Sequence, residues 1–298
     1  MLETASANIR IVLVEPAGPL NVGSVARVMK NMGLSQLILV NPQCDYLGEE
    51  ARLMAVRAAD ILETAKVVES LPAALVGCVR AIATTGDDAR SHPTQLEKPA
   101  DALPWLLEAP SALIFGREDC GLTNSELNRA QRLIRIPSSD AYTSLNLAQA
   151  VAICCYELYR EKGSSAADSV GDVADRSSAA DFVGDLTDVT DVTWRRKKSE
   201  GIFSQSPSPP NSAPLENLEG YYQQLETLLL KIGYLQPHTA ASRMEKFRRL
   251  YNRAYPTVDE VAMLRGVIRQ TDWAIKSYAR SPVSDNLDGA LPENPTDN

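Results

Sequence analysis

Three short stretches of this 298-residue chain hold residues whose types and spacing can do chemistry. "NVGSVAR" carries the amide of Asn21 and the guanidinium of Arg27 around Gly23 and Ser24. "FGREDCG" places Gly116, Arg117, Glu118 and Gly121 together, and "TSLN" places Thr143, Ser144, Leu145 and Asn146. A guanidinium offers a fork of donors to a phosphate. Hydroxyls, amides and a carboxylate can orient a small molecule, and glycines let a backbone come close to it. No G-K-[ST] follows the first loop and G-x-G-x-x-G is absent, so it is neither a P-loop nor a Rossmann fingerprint. Each residue also has a plain alternative. Arg27 is then a solvated helix charge, Glu118 a surface carboxylate and Asn146 a helix N-cap.

For these turns to share a site, the fold must bring them together. In the first 160 residues, "IRIVLVEP", "QLILVNP", "AIATTG", "SALIFGRE" and "LIRIPSS" read as buried strands. Between them lie the helical patterns "SVARVMKNMG", "EEARLMAVRAADIL", "LPAALVG" and "TNSELNRA". Strands rich in Ile, Leu and Val, separated by helices, argue for an α/β fold with a mainly parallel sheet covered on both faces. Carboxyl ends of parallel strands share one edge, where ligands bind. Three turns that each follow a strand can therefore meet there. On spacing, Gly23 supplies backbone freedom, Ser24 caps the next helix and Arg27 sits one turn in. Past the third turn, Leu147, Ala148, Val151, Ala152, Cys155 and Leu158 fall at helical spacing.

Hydrophobic residues make up 44% and charged residues 23%, the balance of a soluble globular protein. The net charge of -8 argues mildly against a nucleic-acid partner until that charge is located. Residues 163–214 are rich in Ser, Ala, Asp and Pro, and seven aspartates from Asp168 to Asp191 face only Arg176. Apolar content there is too thin for a core, so the stretch reads as a disordered linker. From 215 to 280 three helical patterns follow, with ten Lys/Arg against seven Asp/Glu, so the folded parts can present a basic face. Thr257 and Glu260 stand at capping-box spacing. Arg243, Lys246, Arg249 and Arg253 recur at three- and four-residue steps, with Phe247 and Tyr251 between them. A solvated face is the plain reading of such a stripe. Residues 281–298 read as a loose tail.

Five cysteines without a C-x-x-C pair, and only two histidines, give no zinc or disulfide framework. Free thiols fit a reducing compartment. "MLETASANIR" has no apolar leader and no run reaches membrane-spanning length. The expectation is a cytoplasmic protein with no metal and no membrane partner.

The motifs "NxGSxxR", "hhFGxExxGL" and "hPxxxxxxSLNhAxAxxhhxYE", in order and spacing over residues 9 to 160, resemble those of the SpoU (TrmH-like) branch of the SPOUT RNA methyltransferases. The resemblance implies an α/β knot: a Rossmann-like parallel sheet with helices on both faces, here residues 1–162. The stretches "YYQQLETLLLKIGYL" and "KFRRLYNRAYPTVDEVAMLRGVIRQ" resemble the C-terminal extension of the TrmJ-type subgroup. Members of that subgroup methylate the ribose 2′-OH of nucleotide 32 in tRNA. Residues 215–280 are then a small helical tRNA-binding domain, joined by an acidic linker longer than the subgroup leads one to expect.

The resemblance also assigns roles. S-adenosylmethionine would be held, largely through backbone groups, by Thr84, Thr85, Gly86, Gly116, Ile136, Thr143, Ser144 and Leu145. For Thr84 and Thr85 the plain alternative is strand-end chemistry, and for Ile136 core packing. Asn21 and Arg27 would face the RNA, with Arg27 holding a phosphate and stabilising the forming alkoxide. A guanidinium keeps its proton, so positioning is the safer role than proton removal. Ser144 would bond the ribose or the cofactor, Asn146 would orient Ser144 or Arg27, and Glu118 would organise its turn and contact Arg27 from the same or a partner chain. With Arg27, these three form the expected catalytic set. Arg90 would contact RNA, displaced here by Asp87 and Asp88. Arg243, Lys246, Arg249 and Arg253 would meet phosphates, and the 145–160 helix would pack in a homodimer or, on the plain reading, in the core of its own chain. The rival readings are the same chemistry at another tRNA or rRNA position, a non-catalytic RNA-binding knot, and a small-molecule α/β enzyme.

Overall fold

The computed structural model describes residues 8–86, 96–139, 143–168 and 211–280. Seven parallel strands form one sheet in the order β3-β2-β1-β6-β4-β7-β5. They are β1 (Ile9–Val14), β2 (Gln36–Val40), β3 (Lys66–Val68), β4 (Arg80–Thr84), β5 (Leu96–Glu97), β6 (Ser111–Phe115) and β7 (Arg132–Ile134). β1 pairs with β2 from Arg10↔Gln36 to Val14↔Val40, and with β6 from Ile9↔Ser111 to Leu13↔Phe115. The central strands are buried along their length, as a sheet covered on both faces requires. The expected strands are all present. The two not foreseen, β3 and β5, are short edge strands.

Side chains alternate between two cores, following the two-residue period of a strand. Ile11, Leu13, Leu37, Leu39, Ile82, Leu113 and Phe115 face one side. There they meet Val22, Val25, Ala26 and Met29 of α1 (Pro19–Asn31), together with α2 (Glu49–Ala55), α3 (Ala59–Glu63) and α7 (Leu147–Asp168). Val12, Val14, Ile38, Val40, Ala81, Ala83, Ala112 and Ile114 face the other. This second face is covered by α4 (Leu71–Ala74) and α6 (Asn124–Leu127), and also by the C-terminal helices. Among the described residues the remaining α-helix of the sheet region is α5 (Pro99–Ala102), followed directly by a 3-10 helix, Leu103–Glu108.

Helix α1 begins at Pro19, with Gly18 as N-cap, not at Ser24. Proline at the first helical position has the right φ and lacks an N–H that would be unsatisfied anyway. Ser24 is therefore inside the helix and donates to the Leu20 carbonyl at 2.8 Å, and Arg27 lies two turns in. Gly23 serves packing, not backbone freedom: a Cβ there would stand 2.1 Å from the Ala51 carbonyl oxygen. The expected helix over "EEARLMAVRAADIL" is broken at Val56, whose φ is +54°.

Helix α7 runs six residues past 162 to Asp168, and the chain is packed again from 211, inside the stretch read as linker. Ala213 is buried and donates to the Pro256 carbonyl at 2.9 Å. Residues 169–210 and 281–298 lie outside the described residues. So do 87–95 and 140–142, in the loops after β4 and β7, and with them the expected threading.

Helices α8 (Leu215–Lys231), α9 (Ala240–Ala254) and α10 (Val258–Arg280) are those the sequence predicts, and the Thr257–Glu260 capping box is formed. They share the second core: Leu215, Leu218, Tyr221 and Tyr222 of α8 pack with Leu75, Cys78, Leu127 and Ala130. Polar ties reinforce this docking. Arg129 and Arg248 both bond Glu219, at 2.9 and 2.5 Å, and the Asn252 amide donates to the Asn128 carbonyl at 2.9 Å. Past the end of α9, Tyr255 sets its ring edge-on to Trp105, with centroids 5.7 Å apart.

Candidate active site

The order of the strands reverses around β1 and β6, and the carboxyl ends of β4, β6 and β7 open at one edge, where such sheets hold ligands. A cavity of about 340 Å³ lies there. Its walls come from Thr84, Thr85 and Gly86 after β4, Gly116 to Leu122 after β6, and Ile136 with Thr143, Ser144 and Leu145 before α7; of the three predicted turns the second and third line it, and the first, with Asn21 and Arg27, does not. All eight residues expected around a cofactor line it. Phe115, Leu147 and Ala150 also line it and were not foreseen, because nothing in their types separates a cavity wall from a core.

Local structure explains the glycines and the loops. Gly121 has φ +69°, and Arg117 and Gly121 form a bridge that folds the turn back on its strand. A Cβ on Gly116 would stand 2.2 Å from the carbonyl carbon of Gly121. The close approach at Gly116 is thus made by the chain's own turn, whereas the expectation gave it to a cofactor. At Gly86 a Cβ would meet nothing within 4 Å among the described residues. The Thr84 hydroxyl donates to the Ile114 carbonyl at 3.1 Å, which is strand-end chemistry. Ile136 packs against the first core and also lines the cavity.

A chain of hydrogen bonds joins the three motifs. Glu118 accepts from the Ala17 and Gly18 N–H groups at 3.1 and 3.0 Å, and from the Asn21 amide at 3.1 Å. The Asn21 carbonyl oxygen accepts from the Asn146 amide at 2.9 Å. Asn146 in turn caps α7, its side-chain oxygen accepting from Ala148 N–H at 2.9 Å and Gln149 N–H at 3.4 Å. Asn146 is thus the helix cap of the plain reading, and its side-chain amide donates to Asn21, to neither Ser144 nor Arg27. Burial pushes the Glu118 carboxyl up. The Ala17, Asn21 and Gly18 donors outweigh it, so the group sits below the usual carboxylate range and stays charged.

A second frame escaped sequence reasoning. Arg117 bonds Glu15 at 2.8 Å and holds Glu126 through two nitrogens at 3.0 and 3.1 Å. Glu126 closes a capping box with Thr123 at the start of α6. Its signal was present in "TNSE", which has capping-box spacing. Bonds from Glu126 and then Glu15 raise the Arg117 pKa, and the Arg117 bond lowers that of Glu15. The turn after β6 is thereby pinned to the end of β1 and to α6.

Arg27 stands apart from this order. It is exposed on α1, does not line the cavity, and makes no hydrogen bond or ion pair among the described residues. The contact with Glu118 is not made within the chain, because the Glu118 oxygens are taken by Ala17, Gly18 and Asn21. Ser144 is exposed at the cavity wall. Arg90 falls within 87–95, outside the described residues. On α9, Arg243, Lys246 and Arg253 are exposed and Arg249 is half-buried, while Phe247 and Tyr251 turn inward to the second core. Among the described residues no group of His, Cys, Asp and Glu could hold a metal ion, and no helix is long and apolar enough to cross a membrane.

The profile of the SpoU rRNA methylase family matches residues 8–156, and that of the tRNA methyltransferase TrmJ C-terminal domain matches residues 216–281. The tRNA (cytidine/uridine/adenosine-2'-O-)-methyltransferase TrmJ of Pseudomonas aeruginosa is 37% identical over 280 residues, covering 92% of this chain and 98% of that protein. The tRNA (cytidine/uridine-2'-O-)-methyltransferase TrmJ of Pectobacterium atrosepticum is 36% identical, over 88% and 95% of the two chains. Among solved structures, TrmJ from Z. mobilis superposes with a TM-score of 0.69 at 27% identity, covering 89% of this chain and all of that one. With both profiles in order and relatives matched over nearly their full length, the chain belongs to the TrmJ family of SpoU-type methyltransferases.

Proposed function

We propose that this enzyme transfers a methyl group from S-adenosylmethionine to the ribose 2′-OH of nucleotide 32 in tRNA, on cytidine, uridine or both. One observation carries the reading most. Two motif turns of a TrmJ-family chain, after β6 and before α7, line one cavity, and the first motif is locked to both through the Glu118–Asn21–Asn146 hydrogen bonds.

The cavity fits the cofactor chemically. Apolar walls from Phe115, Ile136, Leu145 and Leu147 suit a nucleoside ring, and the threonine, serine and glycine backbone of the turns supplies donors and acceptors for its polar edges. Thr84, Thr85, Gly86, Gly116, Ile136, Thr143, Ser144 and Leu145 would hold it. When bound, the cofactor supplies the activated methyl group. Arg27 binds a phosphate of the RNA and so places the 2′-OH, stabilising negative charge as it develops there. Ser144 holds the ribose or the cofactor by its hydroxyl. Glu118, Asn21 and Asn146 position the turns and leave Arg27 free for RNA.

Residues 1–162 form the catalytic domain and 215–280 the tRNA-binding domain, with phosphates meeting the α9 stripe. The enzyme works in the cytoplasm as a homodimer. Exposed Leu20, Ile153, Tyr156 and Tyr159 on the packed helices α1 and α7 supply an apolar surface for that contact. The test is methyl transfer from labelled S-adenosylmethionine to unmodified tRNA, with the product mapped by nucleotide. Ribose methylation at nucleotide 32 is expected. Methylation at another position overturns the site assignment alone, and transfer to no RNA overturns the proposal.

A further inference from the structure

We propose that the groove between α8 and α10 is a second track for the tRNA phosphate backbone, separate from the α9 stripe; the proposal rests on the tRNA reading above. The groove encloses about 620 Å³ and is walled by Lys231, Arg265, Arg269 and Lys276 over Leu228 and Ile268. Asp272 lies among these cations and bonds two of them, Lys231 at 2.6 Å and Lys276 at 2.5 Å. Three positive charges remain in excess. Arg265 is steadied by Gln224 at 3.1 Å. Arg269 is exposed and makes no hydrogen bond or ion pair among the described residues.

The lining runs from Gly220 to Lys231 on one helix and from Arg265 to Lys276 on the other. At the rise of an α-helix that is about 16 Å, room for more than one phosphate. Cations spread along an open groove suit a backbone of repeated charges better than a single small anion, around which they would converge.

Gly220 supports the same conclusion. An interior glycine weakens a helix relative to alanine. Nothing in the fold demands one here: a Cβ would meet only the Arg265 guanidinium, at 3.8 Å or more, an ordinary contact. The glycine keeps the floor of the groove low. Gly220 and Gln223 also line an adjoining cavity of about 280 Å³, where Arg129 and Arg248 are balanced by Glu216 and Glu219, so the cationic groove ends at α8.

The test uses the full chain and an unmodified tRNA transcript, with binding measured across a series of KCl concentrations. S-adenosylmethionine affinity and Tm are followed alongside. Arg269→Ala should weaken tRNA binding and lower the salt slope by about one, and Arg269→Lys should keep the slope. Gly220→Leu adds bulk without charge to a helix that favours leucine. It should weaken tRNA binding several-fold without lowering Tm or cofactor affinity. A wild-type slope and affinity in Arg269→Ala overturns the groove, whatever Gly220→Leu does. If Arg253→Ala still weakens binding in that case, the tRNA reading stands. A wild-type chain that binds no tRNA at any salt concentration overturns both.

Discussion

At the carboxyl edge of the sheet, polar side chains are tied to one another; on the outer faces of the C-terminal helices, several cations are left untied among the described residues. Glu118, Asn21, Asn146, Arg117, Glu15 and Glu126 all hold each other or the backbone within 3.4 Å. Lys246, Arg253 and Arg269 have no hydrogen-bond or ion-pair partner among the described residues. The difference matches two kinds of ligand. A small cofactor needs donors fixed before it arrives, because affinity lost to reordering is not regained from a few contacts. A polyanion is bound by many weakly oriented charges that exchange counterions for phosphates. Arg27 is the exception at the sheet edge, and its lack of partners among the described residues is what supports the substrate-side role proposed for it.

That contrast can be broken most sharply at Arg27. Arg27→Ala should lower turnover by about 10²–10³-fold, the loss seen when one charge-stabilising donor is removed, and leave S-adenosylmethionine affinity unchanged. Single-turnover rates with equilibrium cofactor binding check it, and unchanged methyl transfer would sink the role.

Next is the packed turn. Gly116→Ala forces a methyl group onto the Gly121 backbone and should cost about 1–3 kcal/mol, with loss of cofactor affinity, read by thermal melts and calorimetry. Unchanged cofactor affinity would detach that turn from the site.

The charge on Glu118 sharpens the comparison through pH. Its folded pKa is lowered, so its contribution is full above the unfolded value, about 4.3, and is lost as pH falls through the folded value. The Tm gap between wild type and Glu118→Gln should be constant from pH 7 to about 5 and narrow steadily as pH falls below the unfolded value, about 4.3. A gap that persists in acid would show that shape, not charge, holds the frame.

The smallest effect belongs to the stripe. Arg253→Ala should reduce tRNA affinity less than tenfold, lower the salt slope by about one and leave cofactor binding alone. A change in cofactor affinity would mean that the two regions are not separable in this way.

Much of this was legible in the residues. Residues 11–14 of β1 and 112–115 of β6 are unbroken apolar runs, readable because both faces of these strands are buried. β3 and β5 were not, since edge strands of three and two residues show no period. The start of α1 was misplaced by weighting Ser24 over Pro19, although proline at the first position is the stronger signal here.

The amino-acid sequence by itself determined the alternation of strands and helices, the three motifs and the basic stripe on α9. These depend on residue type and local spacing, which the chain carries whether folded or not. Tertiary structure decided which groups meet. It tied Glu118 to Asn21, and Asn21 to Asn146, and left Arg27 out of that chain. It closed Arg117 between two carboxylates 102 and 9 residues away along the chain. It laid α8 over the second face of the sheet and left a basic groove beside it. Such partnerships are set by how strands order themselves in a sheet and how helices fill its faces. Hydrogen-bond partners distant in sequence are chosen there, by geometry that no local pattern encodes.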